Sequence, residues 1–265
     1  MLRILAILFL ILGTHPLAAQ PFDPASLKAC GSTVAGEAIS GARFKSAEGQ
    51  TVKIALVKAP ELWAPDAAYK SWPYGPEAKA ALDARIRGKI VTLYCEGPST
   101  NRLGELVAHV VMENGDWLAL DLVREGHVFV FPGAIRRHGL TTLFQEEEGA
   151  RNDRRGLWRF SNLDPVEAQS EAVNPGWFQI IRGQVQDVSI VRGTYYINFG
   201  EDWRTDFTIE IPPLVARQFA KQSVDPMSLK GERVEGRGWV DFKSGPRLLV
   251  QGPGQLRQLP ALPSP

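Results

Sequence analysis

The sequence predicts a mostly β, α+β protein: a first domain of strands and three helices, followed by a second domain with the element order of a barrel. Two observations predict this class, and the chain length permits it. Runs rich in β-branched residues, such as Val52–Val57 and Lys89–Cys95, are bounded by Gly, Pro or Glu-Gly turns, the signature of strands. Segments of helical periodicity alternate with them. The chain has 265 residues, 44% of them hydrophobic and 22% charged. That is enough for two soluble domains, each with its own core.

The elements follow in order. Met1-Leu2-Arg3, the apolar run Ile4–Leu12 and Pro16-Leu17-Ala18-Ala19 read as a secretory signal spanning 1–19. The run falls short of the roughly 20 residues a membrane span requires. The mature chain is therefore expected to be exported, periplasmic or secreted, without a membrane span. In the first domain, 20–160, Val52–Val57, Lys89–Cys95 and Glu105–Met112 read as strands. Pro76-Glu77 opens a helix whose Ala78, Ala81, Leu82 and Ile86 share one face, and Gly88 stops it. Trp117–Glu125 and Leu140–Asn152 read as two more helices. Pro165, Glu167, Gln169, Ser170, Asn174, Pro175 and Gly176 cluster without periodicity, which makes 161–176 a linker. In the second domain, 177–258, the strand signals are Trp177–Val191, Thr194–Phe199 and Asp206–Ile211. The Pro-started helix Pro212–Lys221 and the strands Glu232–Phe242 and Arg247–Gln251 come next. Three strands, a helix and two strands is the element order of an OB-type barrel. The Pro-rich end, 259–265, reads as a loose tail.

Charge narrows the partners. Removing the signal takes away Arg3 and no acid, leaving 29 basic and 29 acidic residues. A neutral chain lacks the basic field that non-specific nucleic-acid binding needs. Cys30 and Cys95, the only cysteines, can form a disulfide in an oxidising compartment. Two separate buried thiols are the alternative, because Cys95 lies in an apolar strand. The histidines have no zinc spacing, and His109, in an apolar strand, reads as a packed core residue. No Gly-rich phosphate loop precedes a helix. In the second domain Tyr195, Phe199, Trp203 and Arg204 form an aromatic and basic cluster suited to a binding face. Alternation along the strand puts Tyr195 and Tyr196 on opposite sides, so only half of that cluster can point outward.

Four motifs carry a family resemblance. They are Ala59-Pro60-Glu61 after a strand, Gly75-Pro76-Glu77-Ala78 opening a helix, Leu122-Val123-Arg124-Glu125-Gly126 at a helix end, and Glu148-Gly149-Ala150-Arg151 leading to Gly156-Leu157-Trp158. In this order and at these intervals, from about Gly36 to Trp158, the chain resembles the staphylococcal nuclease (thermonuclease) family. The second half resembles the extra domain attached to some exported bacterial members. The resemblance implies an OB-type five-stranded barrel with three helices, followed by a second OB-like barrel. It also implies phosphodiester cleavage with one calcium ion, held by two aspartates and a backbone carbonyl, with a glutamate as base and two arginines on the phosphorane.

Carried over residue by residue, the resemblance leaves most of that chemistry behind. Glu61 stands at the position of the catalytic base. Lys58 replaces one metal aspartate, and Ala42, in Ser40-Gly41-Ala42-Arg43, replaces the other. Lys53 stands for one arginine and Glu105 for the second. Calcium needs hard, negatively charged oxygen ligands; an ammonium and a methyl group supply neither. The resemblance therefore implies a lost calcium site, no cofactor and a vestigial pocket of Lys53, Lys58, Glu61 and Glu105. Read as ordinary surface chemistry, the same residues predict an exposed Lys58–Glu61 ion pair and a solvated Glu105. The expected function is an exported nuclease-like protein without phosphodiesterase activity, binding nucleic acid or another envelope protein. The alternatives are a metal-independent enzyme, in which Lys58 takes the cation's role, and a structural envelope protein.

Overall fold

The computed structural model describes residues 22–62, 72–133, 137–202 and 204–260. The expected signal, Trp203 and the last five residues of the expected tail fall outside them. The first domain is built from β1 (Lys28–Ser40), β2 (Arg43–Ser46), β3 (Thr51–Ile54), β4 (Val57–Lys58), α1 (Gly75–Ile86), β5 (Ile90–Cys95), β6 (Leu106–Met112), α2 (Leu118–Arg124), β7 (Phe129–Val130) and α3 (Leu140–Asn152). Strands β1-β2-β3-β6-β5 close into a barrel, with β5 returning to β1. The long β1 makes closure possible by pairing with β5 through Lys28–Val34 and with β2 through Ala35–Ser40. It bends through register shifts on both sides, the usual way a strand turns a barrel corner. Gly36 sits at the changeover, where a Cβ would lie 2.9 Å from the Lys45 carbonyl oxygen.

Phe44, Val52, Ile54, Val91 and Val110 fill the barrel, and Leu82, Ile86, Leu118, Leu122 and Leu143 of the three helices join their core. A disulfide joins Cys30, in the β1 bulge, to Cys95 at the end of β5, with Cα atoms 5.8 Å apart. The strand expected over Val52–Val57 is two strands. Leu56 adopts φ 65° and turns the chain out of the barrel, so that β4 pairs with β7 instead.

The four sequence motifs turn out to be the halves of two contacts. Gly126 and Gly156 meet back to back: a Cβ on Gly156 would fall 2.2 Å from the Gly126 carbonyl oxygen. The Leu157 N–H donates to that same oxygen at 2.8 Å. Gly75, at the start of α1, lets the helix approach Glu61, whose carbonyl oxygen would be 3.1 Å from a Cβ there.

The second domain holds β8 (Val166–Glu167), β9 (Phe178–Gln184), β10 (Asp187–Val191), β11 (Thr194–Asn198), β12 (Thr208–Ile211), α4 (Pro213–Ala220), β13 (Arg233–Phe242), β14 (Pro246–Leu249) and β15 (Leu256–Gln258). Its sheet runs β10-β11-β12-β14-β13-β9-β8, with β15 added to β13. Its hydrogen-bonded path is open. Its two arms, β10 and β9, are nonetheless consecutive in the chain, joined through Val185-Gln186. Counted as one bent strand, they give the sheet the strand order of the first barrel, and α4 occupies the place of α1. The expected linker is structured in part. Val166–Glu167 pairs with β9, and Ala168 is buried in the second core.

The domains pack through faces that alternate along β9 and β13. Val234 and Val240 point into the second core, while Glu235, Arg237 and Trp239 point toward the first domain. On β9, Ile181 goes into the second core and Phe178 and Ile180 into a cluster with Trp72, Phe129, Leu157 and Trp158. Beside that apolar cluster lies a buried ion network. Glu147 of α3 accepts from the Val130 N–H (2.7 Å), Arg151 (3.1 Å) and Arg237 (2.9 and 3.1 Å). Glu235 accepts from Arg182 (2.8 Å), Arg257 (2.9 and 3.1 Å) and Arg237. Arg237 also donates to the Val130 carbonyl oxygen at 2.6 Å.

Candidate functional site

The motif Ala59-Pro60-Glu61 forms a corner leaving β4. The Trp72 N–H donates to the Glu61 carbonyl oxygen at 2.9 Å, and Gly75 packs behind it. Lys58 pairs with Glu61 as the sequence suggests, but away from the surface: its side chain is only 12% exposed. Its ammonium lies 5.4 Å from the Trp72 ring, 5.3 Å from Phe178 and 4.9 Å from Trp239. Phe178 and Trp239 belong to the second domain. Burial pushes the Lys58 amine below the ordinary lysine range, and the Glu61 carboxylate opposes that shift. Cation–π contact with three rings supplies part of what lost hydration removes.

Glu105, expected to face water, is largely covered and forms an ion pair with Arg43, Nε to Oε1 2.9 Å. The pair is electrostatic contact without hydrogen-bond alignment, since the Arg43 Nε–H has no partner. Asn101 donates to the other Glu105 oxygen at 2.7 Å. Lys53 is half-buried on β3, directly across from Arg43. Arg43, which sequence reasoning passed over, is close enough to Lys58 to depress its amine further. The corner thus holds two carboxylates, each matched by a cation: Glu61 by Lys58, and Glu105 by Arg43.

The donor set does not fit calcium. Ala42 is buried in the barrel core, and its carbonyl oxygen accepts the Ile54 N–H at 3.0 Å. Six to eight oxygen ligands with net negative charge are what calcium takes. Here the acidic oxygens are already bound to Arg43 and Lys58, and an ammonium fills the space between rings.

The predicted binding residues of the second domain do not share a face. Phe199 is buried against Phe207, ring centroids 5.4 Å apart, and Tyr195 packs on the same core. Arg204 is exposed near Asp202, and Trp203 lies outside the described residues. His109 is fully buried as expected, with Nε2 3.4 Å from Glu96.

Residues 51–160 match the family model described as staphylococcal nuclease homologue, so the domain carrying the corner is a nuclease-like domain of that family. The second sheet lies beyond the matched segment. No curated protein sequence matches the chain.

Proposed function

We propose that this nuclease-like protein does not cleave phosphodiesters and that its two domains act together as an exported binding module for nucleic acid or another envelope protein. The observation that carries the reading is the position of Phe178 and Trp239: rings of the second domain lie on the Lys58 ammonium, at the corner where the family's chemistry would take place. A substrate phosphate has to reach that corner, and a divalent ion has to be held there by carboxylates. Neither requirement is served by a caged lysine. Export is supported by the apolar leader and by the Cys30–Cys95 disulfide, which suits an oxidising compartment.

The test is a fluorogenic DNA and RNA cleavage assay across a calcium titration. No Glu61-dependent turnover is expected; metal-dependent cleavage abolished by Glu61→Ala overturns the reading. The contact between a desolvated Lys58 amine and Glu61 favours one second reading, metal-independent catalysis. Turnover that persists in chelator and vanishes in Lys58→Ala would establish it.

A further inference from the structure

The outer face of the second sheet is divided. Its β9–β13 half is covered by the first domain, and its β10-β11-β12-β14 half is an open groove of about 490 Å³, within the ~300–1,000 Å³ range of small-ligand sites. Strand register fixes what faces the groove. Val188, Ile197, Ile209, Leu248 and Val240 point into the core, so their neighbours point out. Asp187, Asn198, Thr208, Arg247 and Asp241 stand side by side across five strands, and Ser189, Tyr196 and Glu210 form the adjacent row.

The chemistry of these groups is selective. The charged ones are spent on one another. Arg247 donates to Glu210 at 2.7 Å and to Asp241 at 2.8 Å, and Lys230 donates to Asp187 at 2.8 Å. Lys243 reaches Glu210 only at 4.0 Å. The Arg247–Glu210 pair forms the floor, with side chains 15% and 12% exposed. Thr208 donates to the Asn198 side-chain oxygen at 3.1 Å, which leaves the Asn198 amide nitrogen free. Among the described residues that nitrogen, the Tyr196 hydroxyl and the Ser189 and Ser244 hydroxyls have no hydrogen-bond partner. Apart from the loosely paired Lys243 ammonium at its edge, the groove's open valences are thus neutral donors and acceptors around one half-exposed aromatic ring.

We propose that this groove binds a neutral oligosaccharide. A polyanion needs unpaired cations, and here Arg247 is held by two carboxylates. Sugar hydroxyls donate and accept at once, as do the tyrosine and serine hydroxyls, and Asn198 supplies a further donor. A pyranose presents a C–H face that can lie on the Tyr196 ring, burying apolar surface while its edges stay hydrogen-bonded. The proposal concerns the second domain alone and does not depend on whether the first is catalytically inert.

The experiment titrates the full two-domain chain by calorimetry with cellotetraose and with N-acetylchitotetraose. Oligothymidylate and a Gly-Ser decapeptide serve as probes of the other ligand classes. Saturable binding of at least one sugar is expected, with Kd near ~0.1–1 mM, unchanged by added salt. Tyr196→Ala should weaken it roughly tenfold or more, while Tyr196→Phe, which keeps the ring, should weaken it far less. Circular dichroism of both variants confirms that the sheet is intact. Absence of binding by both sugars overturns the proposal, as does binding indifferent to Tyr196→Ala. Oligonucleotide binding that falls with salt, or preference for the peptide, overturns it too.

Discussion

Removing the Arg237 guanidinium is expected to cost the protein its domain interface. In Arg237→Met the aliphatic stem persists, but the guanidinium carbon that lies 4.5 Å from the Phe144 ring is lost. Four charge-assisted or carbonyl hydrogen bonds go: two to Glu147, one to Glu235 and one to the Val130 carbonyl oxygen. Glu147 and Glu235 are both fully buried. Glu147 is left with Arg151 and one N–H, and Glu235 with Arg182 and Arg257. Leaving a buried charge short of its partner costs about 3–5 kcal/mol, a large share of a typical ~5–15 kcal/mol total. For a chain of this size that corresponds to a Tm lower by roughly 6–20 °C.

The assay is a double-variant cycle followed by calorimetry and urea unfolding, with Trp239 fluorescence as the reporter of docking. Glu147→Gln in the same chain removes the stranded carboxylate while its amide oxygen can still accept from Val130. The double variant should therefore recover part of the loss, a coupling of about 0.5–3 kcal/mol. Arg237→Met within about 2 °C of the parent, or a double variant showing no recovery, would refute the reasoning.

Two further predictions concern pH. Burial alone would raise the Glu235 carboxyl, yet Arg237, Arg257 and Arg151 together hold it well below the ordinary range. Its stabilisation is present above the unfolded value near ~4.3 and is lost as pH falls through the folded one. Acid should therefore undock the domains, seen as an increase in the radius of gyration by X-ray scattering; an acid transition without expansion refutes this. Lys58 has the opposite sense. Its amine is depressed by burial, so the unfolded chain holds that proton longer, and stability rises with pH between the folded value and the ordinary lysine range. Lys58→Met should flatten that rise and leave Tm equal or higher, checked by thermal melts across alkaline pH.

The helices and most strands were legible because their periodicity was clean. Leu140–Asn152 forms the helix its spacing implied, and Thr194–Asn198 the strand. β1 was not legible: Lys28–Ser40 is small and mixed in polarity, and its two halves pair with different neighbours, so no single alternation runs through it. The burial of the charged face of β13 was not legible for a different reason. Glu235 and Arg237 alternate with Val and Gly as in a strand that is half wet, and their cover comes from elements distant in sequence, among them Glu147 of α3 and Val130 of β7. At the corner, the identities of Lys58, Glu61 and Glu105 could be read against the family pattern. The Lys58–Glu61 pair could be read as well, but its burial could not, because Phe178 and Trp239 come from the other domain; nor could the Glu105–Arg43 pair, which joins residues more than sixty positions apart.

Lysine at position 58 and the aromatic cover are physically one feature. The faces of Trp72, Phe178 and Trp239 carry negative quadrupolar potential, so a carboxylate at position 58 would lose its hydration and gain repulsion. An ammonium in the same place is attracted by each ring and by Glu61. A metal-binding aspartate is therefore incompatible with the domain docking seen here, just as a bare lysine would be incompatible with the metal. An acid at 58 alone would not complete a calcium cage there, because the Ala42 side chain supplies no oxygen and Phe178 and Trp239 lie over the position. Opening that corner to a substrate would require the second domain to leave, and the buried Glu147–Arg237–Glu235 network holds it in place.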